Sequence, residues 1–265
     1  FLMVVSGSLS SEASIVVDGY SVLPRDFSLE AYGFIFRFPE QIIRSYINTI
    51  FLTATGTFLS LFICSMTAYA LQRPYFKMRN AFALYFFFTT LFTGGLVPWY
   101  ILMIKYLGLK NSYLALLLPI LLNVFDLIIM RSFMRSVPEA LAESAKIDGA
   151  GEFYIYWKIF VPISKPAIVS VGLFIALRYW NDWYNALFFI TDKKLFPLQY
   201  YLYNILNGME SAKNAASKSG MVMQSYPAES FKLAMTVVAT GPIAILYPML
   251  QKNFIKGLTV GAVKG

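Results

Sequence analysis

The chain has 265 residues, 58% hydrophobic and 17% aromatic but only 14% charged; a soluble domain carries about a quarter charged residues, so a purely water-solvated core is excluded and lipid must solvate much of the surface. The net charge of +8 reads as juxtamembrane Lys and Arg and not as a nucleic-acid footprint, because no polar segment interleaves basic with aromatic residues. With no His and one Cys, Cys64 inside an apolar run, the usual general base, the usual zinc ligands and any intrachain disulfide are excluded.

In chain order, residues 1–6 are too few to cross ~30 Å of hydrocarbon, which needs about 20 residues. They read as the tail of a first span that begins before Phe1; a cleaved signal peptide is the alternative. Residues 7–43 are polar and mixed, with Pro24, Gly33 and Pro39 as breakers, and are expected outside the cell. Residues 44–71 form a span rich in Thr, Ser, Gly and Ala, which favour close helix contact in membranes. Arg73, Lys77 and Arg79 then make a basic turn without an acid, the clearest sign of a cytoplasmic loop.

Residues 81–104 predict a third span, interrupted by Gly94-Gly95 and Pro98, with Trp99, Tyr100 and Tyr106 as an interfacial belt. The Phe86-Phe87-Phe88 run suits lipid or packing. Residues 112–131 predict a fourth span holding Pro119 and Asp126. Residues 166–190 predict a fifth, opened by Pro166 in a first turn. Residues 230–250 predict a sixth, broken by Gly241-Pro242 and Pro248. Between the last two, 191–229 is a long external segment. Ser211 to Gln224, with Lys, Ser and Gly through Gly220, reads by composition as a flexible loop, with a loop that meets an extracellular protein as the alternative.

The polar stretch 136–165, between the fourth and fifth spans, predicts two short helices joined by a glycine elbow. Ser136 with Glu139 is a capping box, and Pro138 suits a first turn. Leu141, Ser144, Ala145 and Asp148 fall on or beside one helical stripe. Gly149 stands where a left-handed C-cap is wanted. Glu152 starts the second helix and Pro162 ends it. A compact docking helix between spans suits a body outside the bilayer that pushes or pulls on it.

These residues carry a family resemblance. Glu143-Ser144-Ala145, Asp148-Gly149-Ala150, Ile159, Pro162 and Pro166 resemble the cytoplasmic signature loop of bacterial ABC importer permeases, written E-A-A, three residues, G, nine residues, I-x-L-P. Ser144 stands where Ala is usual and Val161 where Leu is usual. The resemblance implies the type I importer permease fold, with this loop as a coupling helix seated in a cleft of an ATPase subunit, Glu143 pairing with a basic group there. The tail K-G-L-T-V-G-A-V-K-G resembles carbohydrate importers of the maltose-permease class, which implies that Lys256 and Gly257 also reach the ATPases. The stretches G-G-L-V-P-W-Y, D-L-I-I-M and W-N-D-W-Y-N-A-L resemble the branch that imports complex oligosaccharides. Asp126 departs from that branch, where an uncharged amide is usual.

Polar residues of the fifth span are the candidate substrate pathway: Arg178, Trp180, Asn181, Asp182, Trp183 and Asn185, with Asp126 from the fourth. Indoles stack on pyranose faces, and Asn, Asp and Arg hydrogen-bond hydroxyls. Arg178 and Asp182 are four apart and can instead neutralise each other on one helix face, with Asp126 as a third member. An unpaired Arg178 would suit an acidic sugar such as a uronate.

The reading is an all-α polytopic integral membrane protein, one permease domain over 1–265, with six transmembrane helices in the intact chain, the first truncated. By resemblance it works in the bacterial cytoplasmic membrane with a homologous second permease, an ATPase dimer, an extracellular solute-binding protein and an oligosaccharide. It needs no cofactor, metal or nucleic acid. No G-x-x-x-x-G-K-[ST] occurs, so ATP hydrolysis falls to another chain and no residue here is catalytic. A self-sufficient carrier or channel is the alternative, with Asp126 and Asp182 as candidate ion sites. A membrane enzyme ranks third, for want of a nucleophile constellation.

Overall fold

A computed structural model describes residues 1–219 and 228–244. Among them the regular structure is helical, apart from one isolated antiparallel bridge between Ser10 and Phe27. The described residues form two compact units: residues 50–181, and residues 1–49 with those from 182 onward.

Helix α4, Pro39–Gln72, is 34 residues long, about 51 Å at 1.5 Å per residue, and is long and apolar enough to cross a membrane by itself. It starts on Pro39, whose missing N–H costs nothing in a first turn. Its small residues do what their type predicts. A Cβ on Gly56 would stand 2.4 Å from the Tyr179 ring, so the helix of Tyr179 can lie against α4 only because Gly56 has no side chain. The buried Tyr179 hydroxyl donates to the Leu117 carbonyl at 2.9 Å and lies 3.3 Å from the Ser60 hydroxyl. One phenol therefore joins three segments where no water supplies partners.

The other apolar stretches of residues 50–181 are bent. Helix α5, Arg79–Leu91, meets α6, Leu96–Ile101, and its π-helical continuation Leu102–Tyr106 at 112°. The break falls at the glycine pair, and Gly95 takes φ +84°, open to glycine at little cost. No residue of α5 is buried, and Phe87 and Phe88 are about half exposed, as lipid-facing side chains would be. Helix α7, Tyr113–Leu117, runs through a 3₁₀ turn holding Pro119 and meets α8, Val124–Arg135, at 51°. Asn123 caps α8 by accepting from the Phe125 N–H at 2.9 Å. After α9, Glu139–Ile147, comes a third bent pair: α10, Glu152–Ile155, a π turn Tyr156–Phe160 and α11, Val161–Ile163, meet the stretch that opens with α12, Lys165–Trp180, at 83°. Pro166 lies in the first turn of α12 as expected, but Pro162 does not stop the preceding helix, which runs to Ile163.

In the other unit, the stretch 7–43 is more regular than its breakers suggested. It holds α2, Glu12–Asp18, and α3, Glu30–Ile35, and follows α1, Leu2–Ser8, which takes up most of residues 1–6. The last described helix, residues 228–244, is capped by the Glu12 carboxylate, which accepts from the N–H groups of Glu229 and Ser230 at 2.9–3.0 Å. That helix continues through Gly241-Pro242, where a break was expected.

The larger correction concerns 191–229. After the short helix Tyr184–Phe189, here α13, comes α14, Leu198–Ser219, 22 residues of helix in the external segment, whose end from Ser211 onward was expected as a flexible loop. Leu198, Tyr201 and Leu202 are buried and recur with Ile205 and Met209 at helical spacing. The polar residues from Ser211 onward hid that pattern. Asn48 and Thr49 fix the start of α14: the Asn48 amide donates to the carbonyls of Lys194 and Phe196, and Thr49 Oγ1 accepts from the Leu198 N–H at 2.8 Å.

Candidate coupling site

The elbow of 136–165 forms as its glycine predicted. Gly149 takes φ +83°. The Ala150 N–H donates to the Ala145 carbonyl at 2.9 Å and the Gly149 N–H to the Lys146 carbonyl at 3.0 Å, the paired bonds of a Schellman ending. Gly151 then sits in extended backbone before α10.

The capping box does not form. Helix α9 starts after Pro138 with no side-chain cap, and the Ser136 hydroxyl donates back to the Phe133 carbonyl at 2.7 Å. Glu139 faces a stronger partner: Arg73 Nη1 donates to its Oε1 at 2.9 Å.

Arg73 lies just past the end of α4, its side chain 5% exposed. Its Nη2 lies 3.5 Å from Glu152 Oε1. Its Nε is 3.2 Å from Glu152 Oε2 but lacks hydrogen-bond geometry. The guanidinium also lies over the rings of Tyr69, at 5.4 Å, and Phe160, at 5.8 Å. Glu152 in turn accepts from Lys146 Nζ at 2.6 Å and from the Tyr69 hydroxyl, while Lys146 sits 4.1 Å above the Tyr75 ring. Burial would raise the Glu152 pKa. The hydrogen bonds from Lys146 and Tyr69 and the charges of Arg73 and Lys146 outweigh it and hold the carboxyl below its ordinary value. Arg73 thus ties the first turns of α9 and α10 to the end of α4. Its charge was visible in the sequence, but its partners 66 and 79 positions away were not.

The face of α9 beside this clamp is open. Ala142 is buried, whereas Ala140, Glu143, Ser144 and Ile147 are exposed and fall at i, i+3, i+4 and i+7. Of the stripe expected at Leu141, Ser144, Ala145 and Asp148, the first, second and fourth are exposed and Ala145 is half-buried. Glu143 has no ion-pair partner among the described residues. Ile147 is 87% exposed, and Phe153 and Tyr154 follow at 60% and 56%. Asp148 and Gly149 stand exposed at the elbow. Lys256 and Gly257 lie outside the described residues.

The pathway candidates separate. Arg178 donates to Asp126 through Nη1 at 2.8 Å and Nη2 at 3.3 Å, with Asp126 1% exposed. Of the pairings left open for Arg178, the one with Asp126 forms and the one with Asp182 does not. Helix α12 ends at Trp180, so the four-residue spacing does not run along one helix. Asp182 Oδ2 accepts from Asn185 Nδ2 at 2.9 Å instead, and its Oδ1 from the Asn185 N–H. Trp180 and Asn185 are buried, Asn181 is exposed, and Trp183 stacks on Tyr203 with ring centroids 4.7 Å apart.

One long apolar helix and three bent apolar pairs fit a membrane protein, and a polar helix with an exposed face between two of them offers a surface outside the bilayer. Residues 41–260 match the family described as binding-protein-dependent transport system inner membrane component, and the chain belongs to that family. Protein LplC of Bacillus subtilis (strain 168) is 40% identical over 267 residues, covering all of this chain and 88% of that protein. The polygalacturonan/rhamnogalacturonan transport system permease protein YtcP of the same organism is 38% identical, covering all of this chain and 92% of that protein. Among solved structures, a bacterial ABC transporter involved in the import of the acidic polysaccharide alginate holds a chain with TM-score 0.80 and 32% identity, covering 96% of this chain and 89% of that one.

Proposed function

We propose that this chain is the permease subunit of an ATP-driven oligosaccharide importer, and that α9 carries work from ATPase subunits into the membrane helices. The supporting observation is the division of α9 into two faces. One is tied to α4 by Arg73 and Glu139. The other presents Glu143, Ser144 and Ile147 with no partner inside the chain. A force applied to the open face reaches α4 through charge-assisted bonds.

In this reading the chain is a multi-pass protein of the bacterial cytoplasmic membrane. It forms half of the pathway with a homologous permease and receives sugar from an extracellular binding protein. Movement of α9 rocks the helices between outward and inward openings. The pathway residues are Trp183, Asn181 and their neighbours. A self-sufficient carrier would need an ionisable site: Asp126 is neutralised by Arg178, and Asp182, hydrogen-bonded by the neutral Asn185, would be its remaining candidate.

Proteoliposomes holding both permeases and the ATPases, supplied with sugar-loaded binding protein, test this. Uptake should require internal ATP and fall at least tenfold with Glu143→Ala. Uptake that persists in vesicles lacking the ATPase subunits would establish the carrier instead.

A further inference from the structure

The unit holding residues 1–49 carries a cavity of about 550 Å³, with Arg37, Gln41 and Lys193 in its wall. That volume lies within the ~300–1,000 Å³ of small-ligand sites. Its chemistry is of three kinds. Phe34, Phe38 and Phe196 supply aromatic faces. Gln41 and Asn204 supply amides, and Arg37 and Lys193 supply positive charge.

The cavity is built and not a chance gap. Gln41 Nε2 donates to the Lys193 carbonyl at 2.6 Å, pinning the start of α4 to the 3₁₀ turn Lys193–Leu195. Asn204 Nδ2 donates to the Tyr200 carbonyl at 2.9 Å. Each amide nitrogen is thereby engaged and each amide oxygen is left to accept a hydroxyl. Among the described residues neither Arg37 nor Lys193 has an ion-pair partner. The neighbouring acid Asp192 caps the Lys194 N–H at 2.9 Å.

We infer that this cavity is a subsite for one hexuronate residue of an acidic oligosaccharide. Aromatic rings cover the apolar face of a pyranose. The amide oxygens take its hydroxyl protons. Arg37 pairs with the carboxylate in the bidentate fashion open to a guanidinium, with Lys193 as a second charge. A neutral sugar would leave both cations unused. A fatty acid would leave both amide oxygens without donors. The inference rests on the importer reading and adds the charge of the cargo. It also moves acid recognition away from Arg178, whose charge is already met by Asp126.

The test uses the assembled transporter in nanodiscs of neutral lipid, titrated calorimetrically with trigalacturonate and with its methyl ester. The acid should bind at least tenfold more tightly than the ester. An Arg37→Gln/Lys193→Gln double variant should remove that difference and the salt dependence with it. Equal binding of acid and ester by the unaltered protein, or an unchanged acid preference in the double variant, overturns the subsite. So does a double variant whose only loss is affinity for sugar-free binding protein, since the cavity is then a protein dock. ATP-driven uptake of a neutral trisaccharide, measured alongside, tests the importer reading separately. It can fail while the acid preference stands, or hold while the acid preference vanishes.

Discussion

Arg178 grips Asp126 through both carboxylate oxygens, at 2.8 and 3.3 Å, and so bolts α12 to α8. The two partners are unequally hidden: the Asp126 side chain is 1% exposed and that of Arg178 31%. Removing one member of a buried pair costs about 3–5 kcal/mol because the other charge is left bare. The cost should be larger for Arg178→Met, which strands a buried carboxylate, than for Asp126→Asn, which leaves a cation partly in reach of water. Asp126→Leu with Arg178→Met should recover most of the loss. Thermal melting of the purified protein in detergent measures all three. Equal losses from the two single changes would show that burial does not govern this pair.

Arg73 predicts a coupling phenotype. Arg73→Met keeps an apolar stem against Tyr69 and Phe160 but releases Glu139 and Glu152. With α9 no longer fastened to α4, ATP hydrolysis in the reconstituted importer should continue while sugar moved per ATP falls several-fold. Arg73→Lys retains the charge without the fork and should restore part of that ratio. A purely structural role would lower hydrolysis and transport together and leave the ratio constant.

Glu152 makes the clamp sensitive to acid. Its folded pKa lies below its unfolded value, so its stabilisation is fully present above the unfolded value of about 4.3 and is lost as pH falls through the lower folded one. The side chain is about half exposed, and screening limits the contribution to about 1 kcal/mol or less. The stability gap between the unaltered chain and Glu152→Gln should therefore be constant from pH 7 to pH 5.5 and close below about pH 4. A gap that widens on acidification would contradict the sign of the shift.

Gly56 predicts an overpacking defect. A methyl placed 2.4 Å from the Tyr179 ring must push away a buried phenol that holds Ser60 and Leu117. Gly56→Ala should cost about 1–3 kcal/mol and lower the melting temperature. Tyr179→Phe keeps the ring and drops only the hydroxyl, and should cost about 1 kcal/mol. Were Gly56→Ala neutral, the close contact of α4 with α12 would not be a tight one.

Residues near in sequence declared themselves best. The Schellman ending at Gly149, Pro166 at the start of α12 and the break at Gly94-Gly95 are local backbone effects, and each was readable from residue type and position. The capping box at Ser136 failed because Glu139 met Arg73, a partner 66 positions away, and no spacing rule reaches that far. Arg178 chose Asp126, 52 positions away, over Asp182 for the same reason. Helix α14 was missed differently: composition averaged over 191–229 let the Lys, Ser and Gly of its second half outweigh the apolar period of its first. The exposed face of α9 was visible only as a motif. Which side of the helix it occupied needed the clamp beside it.

Ile147 gives the cleanest separation of stability from the proposed coupling. At 87% exposure its side chain stabilises nothing within the chain, and surface changes of this kind are usually within about 0.5 kcal/mol. Ile147→Ser should therefore leave the melting temperature unchanged. On the same open face as Glu143, one helical turn away, it would still be buried by any body that docks there. Burying an aliphatic side chain of this size is worth about 1.5–3 kcal/mol. Its loss should weaken assembly with the ATPase subunits by roughly tenfold or more, read by titrating detached ATPase onto permease in nanodiscs. ATP-driven uptake should fall in step. A variant that melts, assembles and transports as before would show that this end of α9 meets water throughout the cycle, and the docking face would have to be sought at Phe153 and Tyr154 instead.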